Sequence, residues 1–149
     1  MKPAIVKETS SSVPSLCLGA VMRHNKSDAL NYRADGKWFN LPAETFVERV
    51  KSCALGLASL GIRPGDRIAL LSENRPEWSI VDMAILSLGA INVPIYTTQA
   101  IEQIDYILSD SGAKAIFISN RRLHKHARPA LDKPALEHLL FFEPVVAAL

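Results

Sequence analysis

Two cysteines are all the chain has, Cys17 and Cys53, and no C-x-x-C occurs. That excludes a disulfide framework and a cysteine-rich zinc site, and a thiol count so low fits a reducing, cytoplasmic setting. Net charge is also scarce: 17 Lys plus Arg against 15 Asp plus Glu leave +2. Nothing in that balance calls for a nucleic acid or an acidic membrane surface as partner. No secretory signal is visible at Met1–Glu8. The longest apolar stretch, Ile80–Ile95, is broken by Asp82, Ser87, Gly89, Asn92 and Pro94. A membrane span needs about 20 mostly apolar residues, so this stretch reads as a buried helix running into a buried strand. The seven glycines lie at 19, 36, 56, 61, 65, 89 and 112. No two are one residue apart and no Gly-Lys-Ser or Gly-Lys-Thr occurs, so dinucleotide and P-loop fingerprints are both missing. Gly-x-Ser-x-Gly and His-Glu-x-x-His are missing too.

What is there belongs to a globular chain. The 149 residues are 48% hydrophobic and 21% charged, enough for one domain that buries roughly 70% of its unfolded surface. Residues 1–12 read as a flexible lead-in whose last serine caps a helix bearing Leu16, Ala20 and Val21. Ala29–Arg33 and Lys37–Leu41 read as a hairpin around Asp35-Gly36, which supplies the positive φ angles of a tight turn. A long helix follows, with Phe46, Val50, Cys53, Ala54, Leu57 and Leu60 on one face and Pro42 in its first turn. Gly61 stops it, and Pro64-Gly65 suits the centre of a type II turn.

From Arg67 the pattern changes to alternating strands and helices. Ile68–Leu71 is a continuous apolar run, as expected of a strand covered on both faces. Asn74 is expected to cap the next helix, with Pro76 in its first turn and Trp78, Val81, Ala84, Ile85 and Leu88 as its buried stripe. Ile91–Tyr96 is strand-like, and Pro94 suits it to a sheet edge. Thr98 is expected to cap a helix carrying Ile101, Ile104, Ile107 and Leu108, ended by Gly112. Ala115–Ile118 reads as a buried strand, Arg121–Leu131 as a helix and Leu139–Phe142 as a last strand. The fold class is α/β: a mainly parallel sheet with helices on both faces, preceded by a short β-hairpin.

Each chemical candidate has a structural explanation that outweighs the functional one. Arg75 and the helix start at Asn74–Trp78 follow a buried strand, where an anion could bind; a capped helix with Trp78 in the core explains them as well. The basic cluster Arg121–Arg128 has no interleaved aromatic for stacking a base and reads as a solvated helix face. His124 and His126, two apart on a helix, diverge and do not share a metal. Cys17 and Cys53 lack an evident activating base and read as packing residues. Thr97-Thr98 reads as a helix cap. No residue is therefore assigned a catalytic, cofactor-binding or metal-binding role.

A resemblance accounts for that absence. Leu57–Leu71, the run Ser72–Trp78 with its Asn-Arg-Pro-Glu-Trp, Leu88–Tyr96 and Ile104–Lys114 resemble, in unbroken order, the amino-terminal part of adenylate-forming (AMP-binding) enzymes. The wording is most like that of long-chain fatty-acid–CoA ligases. The resemblance implies the N-terminal subdomain of the acyl-CoA synthetase fold, with residues 13–149 a partial N-terminal AMP-binding domain. It implies a parent enzyme, an acid–thiol ligase of fatty-acid metabolism using ATP, Mg and CoA. There a carboxylate attacks the α-phosphate of MgATP, and the CoA thiol then displaces AMP. In that family the phosphate loop ending in Pro-Lys, the magnesium Glu, the ribose Asp and a mobile-domain Lys lie beyond the stretch matched here. None of those motifs is in this chain, so the fragment alone is expected to be inactive, to bind none of the three and to self-associate. Self-association is expected through Ile91–Tyr96, Phe141-Phe142 and Val145–Leu149. The resemblance implies fatty acid, ATP and CoA as the parent's partners, no nucleic acid and no transmembrane segment. The parent is expected to be cytoplasmic, with a peripheral membrane location compatible. A free-standing, non-catalytic binding or interaction module that reuses the scaffold is the alternative.

Overall fold

A computed structural model describes residues 12–143; the expected lead-in at 1–11 and the apolar segment Val145–Leu149 lie outside them. The elements are α1 (Val13–His24), β1 (Leu30–Ala34), β2 (Lys37–Leu41), α2 (Ala43–Ser59), β3 (Arg67–Leu71) and α3 (Pro76–Ser87). They continue with β4 (Ile91–Ile95), α4 (Ile101–Ser111), β5 (Ala115–Ile118), α5 (Arg121–Ala127), a 3-10 turn at Arg128–Ala130 and β6 (His138–Phe141).

The central sheet has the order β4-β3-β5-β6, and all three pairings are parallel. Its middle strands obey the period of two and build two cores at once. Ile68, Leu70, Ala115 and Phe117 face α2 and α3, against Val50, Leu57, Val81 and Ile85. Ala69, Leu71, Ile116 and Ile118 face α4 and α5, against Ile104, Leu108 and Leu123. The expectation of helices on both faces therefore holds. Pro94 sits on the edge strand β4, opposite Leu70, where its missing N–H is tolerated. The β1–β2 hairpin is antiparallel, with Asp35 and Gly36 both at positive φ (48° and 76°). It packs beside α3, while α1 lies across α2 and α3.

Cations hold the amino-terminal end of the sheet. The Arg67 guanidinium donates to the Ser111, Gly112 and Gly65 carbonyls at 2.8, 3.2 and 3.3 Å. Lys114 Nζ donates to the Gly61 carbonyl at 3.0 Å. The Gly61 carbonyl follows the end of α2 and those of Ser111 and Gly112 close α4, the negative ends of their helix dipoles, while Gly65 lies in the turn before β3. Gly112 is left-handed at φ 58°, and a Cβ there would meet Arg67 Nη2 at 3.1 Å.

Several sequence expectations need correction. Asn74 does not cap α3: the cap residue is Arg75, extended at φ −155°, ψ 162°, with no side-chain cap bond. Pro76 at the first helical position forces the preceding residue out of helical space, which fixes the boundary one residue later. Thr98 does not cap α4 either. The cap is Ala100, whose N–H donates to Gln103 Oε1 at 3.1 Å. Pro42 stands at the N-cap of α2, just before its first turn. Leu60 leaves the buried stripe at the helix stop and is exposed, as is Leu16 on α1. Arg121–Leu131 is not one α-helix, because Pro129 lacks the N–H to continue it and the chain tightens into the 3-10 turn. Trp78 is half-buried and packs against the rim of the core. Ser12 does cap α1, accepting from the Ser15 N–H at 3.4 Å.

Candidate functional site at the carboxyl ends of the strands

From β3 the chain turns to one side of the sheet, to β4, and from β5 to the other, to β6. The crevice between the carboxyl ends of β3 and β5 is therefore a topological switch point, the place where open α/β sheets bind ligands. Ser72, Glu73, Asn74 and Arg75 leave β3 there; Ser119 and Asn120 leave β5.

Glu73 spans the crevice. Ser119, fully buried, donates from Oγ to Glu73 Oε2, and Asn120 Nδ2 donates to Glu73 Oε1 at 3.0 Å. Asn120 also caps α5, accepting from the Leu123 N–H at 3.0 Å. Burial pushes the Glu73 carboxyl up, but hydrogen bonds from Ser119, its own backbone and Asn120, with Arg75 nearby, outweigh that and hold it below the usual range. These are hydrogen bonds to the charged form, so the knot favours a carboxylate.

Arg75 is held just as fully. Its Nε donates to Glu77 Oε2 at 2.8 Å and its Nη1 to Glu143 Oε1 at 3.0 Å, while the guanidinium lies 5.5 Å from the Phe142 ring centre. Partial burial works against its charge, and the bonds to Glu77 and Glu143 more than offset this, so its pKa is raised. Glu77 responds in kind: desolvation pushes it up, and Arg75 brings it below its ordinary value. The anion that sequence reasoning weighed for Arg75 is thus supplied by the protein's own carboxylates. Beside this cluster an open cleft of about 430 Å³ runs between the hairpin and the start of α3. Asn31, Arg33 and Trp38 form one wall and Asn74, Arg75 and Ser79 the other.

The remaining candidates stand apart. His126 Nε2 bonds the Gln99 carbonyl at 2.9 Å, whereas His124 packs edge-on against Phe141. Arg121, Arg122, Lys125 and Arg128 are exposed, as expected of a solvated face. Burial pushes the Cys53 thiol up to about 11, which suits a packing residue and not a nucleophile. Among the described residues no three His, Cys, Asp or Glu side chains gather to hold a metal. Among the described residues the crevice offers no glycine-rich phosphate cradle; Arg75 at the start of α3 is already paired, and Arg121 at the start of α5 is exposed. The Glu73–Ser119–Asn120 knot escaped sequence reasoning. Its signal was the polar pair directly after each buried strand, Ser72-Glu73 and Ser119-Asn120.

The comparisons agree with this architecture. The family model described as AMP-binding enzyme matches residues 20–148. Long-chain-fatty-acid–CoA ligase FadD15 of Mycobacterium tuberculosis is 42% identical over 83 residues, 56% of this chain and 14% of the ligase. Uncharacterized protein Rv1549 of the same organism is 32% identical over 89 residues, 60% of this chain and 51% of that protein. The inhibitor-bound N-terminal domain of FACL13 from M. tuberculosis superposes with a TM-score of 0.71 at 24% identity. That match takes in 88% of this chain and 33% of that domain, and it establishes the fold. The chain belongs to the AMP-binding enzyme family. It spans a small part, 14%, of the length of the ligases it matches.

Proposed function

We propose that residues 13–149 form the N-terminal part of the AMP-binding domain of an ATP-dependent fatty-acid–CoA ligase. The observation that carries this reading is the 42% identity to FadD15 over 83 residues, 56% of this chain. In the whole enzyme a fatty-acid carboxylate would be adenylated with ATP and Mg, then passed to CoA. This part supplies the packed sheet and the crevice against which later residues would stand. No step is assigned to its own side chains, because Glu73 and Arg75 are both committed to internal partners. A cytoplasmic location, with a peripheral membrane location compatible, goes with the same reading; no helix among the described residues is long and apolar enough to cross a membrane.

The test has two arms. The protein that carries this segment together with a phosphate loop should make acyl-CoA from a long-chain fatty acid, ATP and CoA; failure with every chain length would sink the reading. These 149 residues alone should show no fatty-acid-dependent exchange of pyrophosphate into ATP, since preorganised charge around the phosphates supplies most of the rate in such chemistry.

One observation favours the second reading, a free-standing binding module. The stretch shared with Rv1549 makes up 51% of that protein, against 14% of FadD15. Exchange activity in the 149-residue chain would contradict both readings. We also propose that the chain by itself self-associates through the edge strands, where Ile91 and Leu139 are 50% and 44% exposed.

A further inference from the structure

At its end β6 runs into a short strap on the rim of the crevice. The Phe142 N–H donates to the carbonyl of Ile118, the last residue of β5, at 3.2 Å. The two phenylalanines part to opposite faces of the sheet. Phe142 lies against Phe117, ring centres 5.8 Å apart, in the core shared with α2 and α3. Phe141 meets the His124 ring of α5 edge-on at 5.1 Å, in the other core. Phe141–Glu143 thus line the carboxyl end of β5. The sheet alone holds them weakly, because β6 is an outer strand of four residues, each at least partly exposed, with a partner on one side only. Elements with few buried contacts and exposed backbone bonds are the first to open.

Arg75 ties this strap to the far side of the crevice. Strand β5 stands between β3 and β6, so no backbone ladder joins the start of α3 to the strap. The guanidinium bridges the gap over the end of β5: Nη1 donates to Glu143 Oε1 at 3.0 Å, and the Phe142 ring centre is 5.5 Å away. Among the described residues Glu143 has no other ion pair. Glu77 holds Nε from behind at 2.8 Å, so the fork is already aimed when the strap meets it. Only the planar Arg group can serve two carboxylates and an aromatic face in one fixed geometry. Its side chain is 24% exposed, which limits screening of the contact. We propose that Arg75 is the catch of a hinged strap: it holds Phe142 and Glu143 against the end of β5, and lifting the strap leaves one guanidinium donor free at the crevice. Strap position and the charge offered at the crevice are then a single equilibrium. The device does not depend on the ligase reading, because all of its residues are in this chain.

Amide hydrogen exchange of the full chain, resolved by residue, reads the strap through the Phe142 N–H. Ser119, whose N–H donates to the Leu71 carbonyl at 3.1 Å, is the control inside the sheet. Arg75→Gln is expected to speed Phe142 exchange about tenfold, the equivalent of one charge-assisted contact, and to leave Ser119 unchanged. Glu143→Gln, at an exposed position, should do the same. The two together should add nothing further, because both remove one contact. Arg75→Lys should restore part of the protection, and Glu77→Gln should disturb Phe142 less than Glu143→Gln does. Free exchange of Phe142 in the wild type, an unchanged rate in Glu143→Gln, or additive effects in the double variant would overturn the proposal. So would equal speeding at Phe142 and Ser119, which would mean loss of the fold as a whole. If Arg75→Gln does not fold, Glu143→Gln decides alone, since it removes only the strap's side of the contact.

Discussion

The sheet and the amino-terminal layer solve the same packing problem to different degrees. In the sheet, Ile68, Leu70, Leu71, Ile116 and Ile118 are wholly buried, and each strand residue serves one of two cores. In the layer of α1 and the hairpin, Trp38 is 71% exposed, Phe39, Leu16 and Val13 are exposed too, and the open cleft lies along the hairpin. Loss of one methyl group should therefore be felt in the first region and absorbed in the second. The open cleft belongs to the region where packing is incomplete.

Substitutions can break or sharpen that contrast. The largest effect is expected from Leu70→Ala, which should cost about 2–5 kcal/mol in urea unfolding because the site is enclosed by two helices. Phe39→Ala on the exposed hairpin, where the ring stacks only on Tyr32 at 5.5 Å, should cost less than about 1.5 kcal/mol. Equal costs would erase the distinction between the regions. Trp78→Ala lies between them: full burial would give about 3–5 kcal/mol, and half-burial places the expected loss at or below the lower end. An unchanged melting curve would move Trp78 into the open layer.

A smaller effect is expected from Glu73→Gln, read as a function of pH. Glu73 and Glu77 both titrate below their ordinary value of 4.5 when folded. The unfolded chain thus binds more protons in acid, and their stabilisation is complete above about 4.5 and lost as pH falls through the folded values. Glu73→Gln should flatten that acid limb, whereas Leu70→Ala should keep the wild-type pH slope; a wild-type stability that does not fall between pH 5 and 3 would contradict it. The smallest effect on the fold, though not on its behaviour, belongs to Leu139→Lys. Charging the β6 edge should lower the apparent mass in light scattering over a concentration series with little change in melting temperature. A wild-type chain that stays monomeric at millimolar concentration would remove the edge as a partner site.

Periodicity made the sheet legible. Two four-to-five-residue apolar runs, at β3 and β5, separated by helical stripes leave few arrangements other than parallel strands with helices on both faces, and the Asp35-Gly36 turn announced its hairpin. Boundaries were less legible, because capping depends on where the chain turns as well as on which residue is present. Asn74 and Thr98 are good caps by type, yet Pro76 and Gln103 placed the caps one and two residues later. The crevice was legible on its β3 side alone, where Asn74–Trp78 follow a buried strand. Glu73, Ser119 and Asn120 are brought together by adjacency of β3 and β5, which no local pattern in the sequence encodes.

The order β4-β3-β5-β6 also bears on how the chain comes off the ribosome. β3 and β4 can pair as soon as α3 has formed between them, but the other edge of β3 waits for Ala115–Ile118. Until then its most apolar residues have one neighbour strand where they need two, and α4 has no second strand to lie across. The strand that fills this second edge of β3 is the one that brings Lys114 to the end of α2 and Ser119 to Glu73. Both poles of the molecule are therefore locked by a single late arrival, and a nascent chain stopped short of β5 would hold a half-made sheet with neither lock in place.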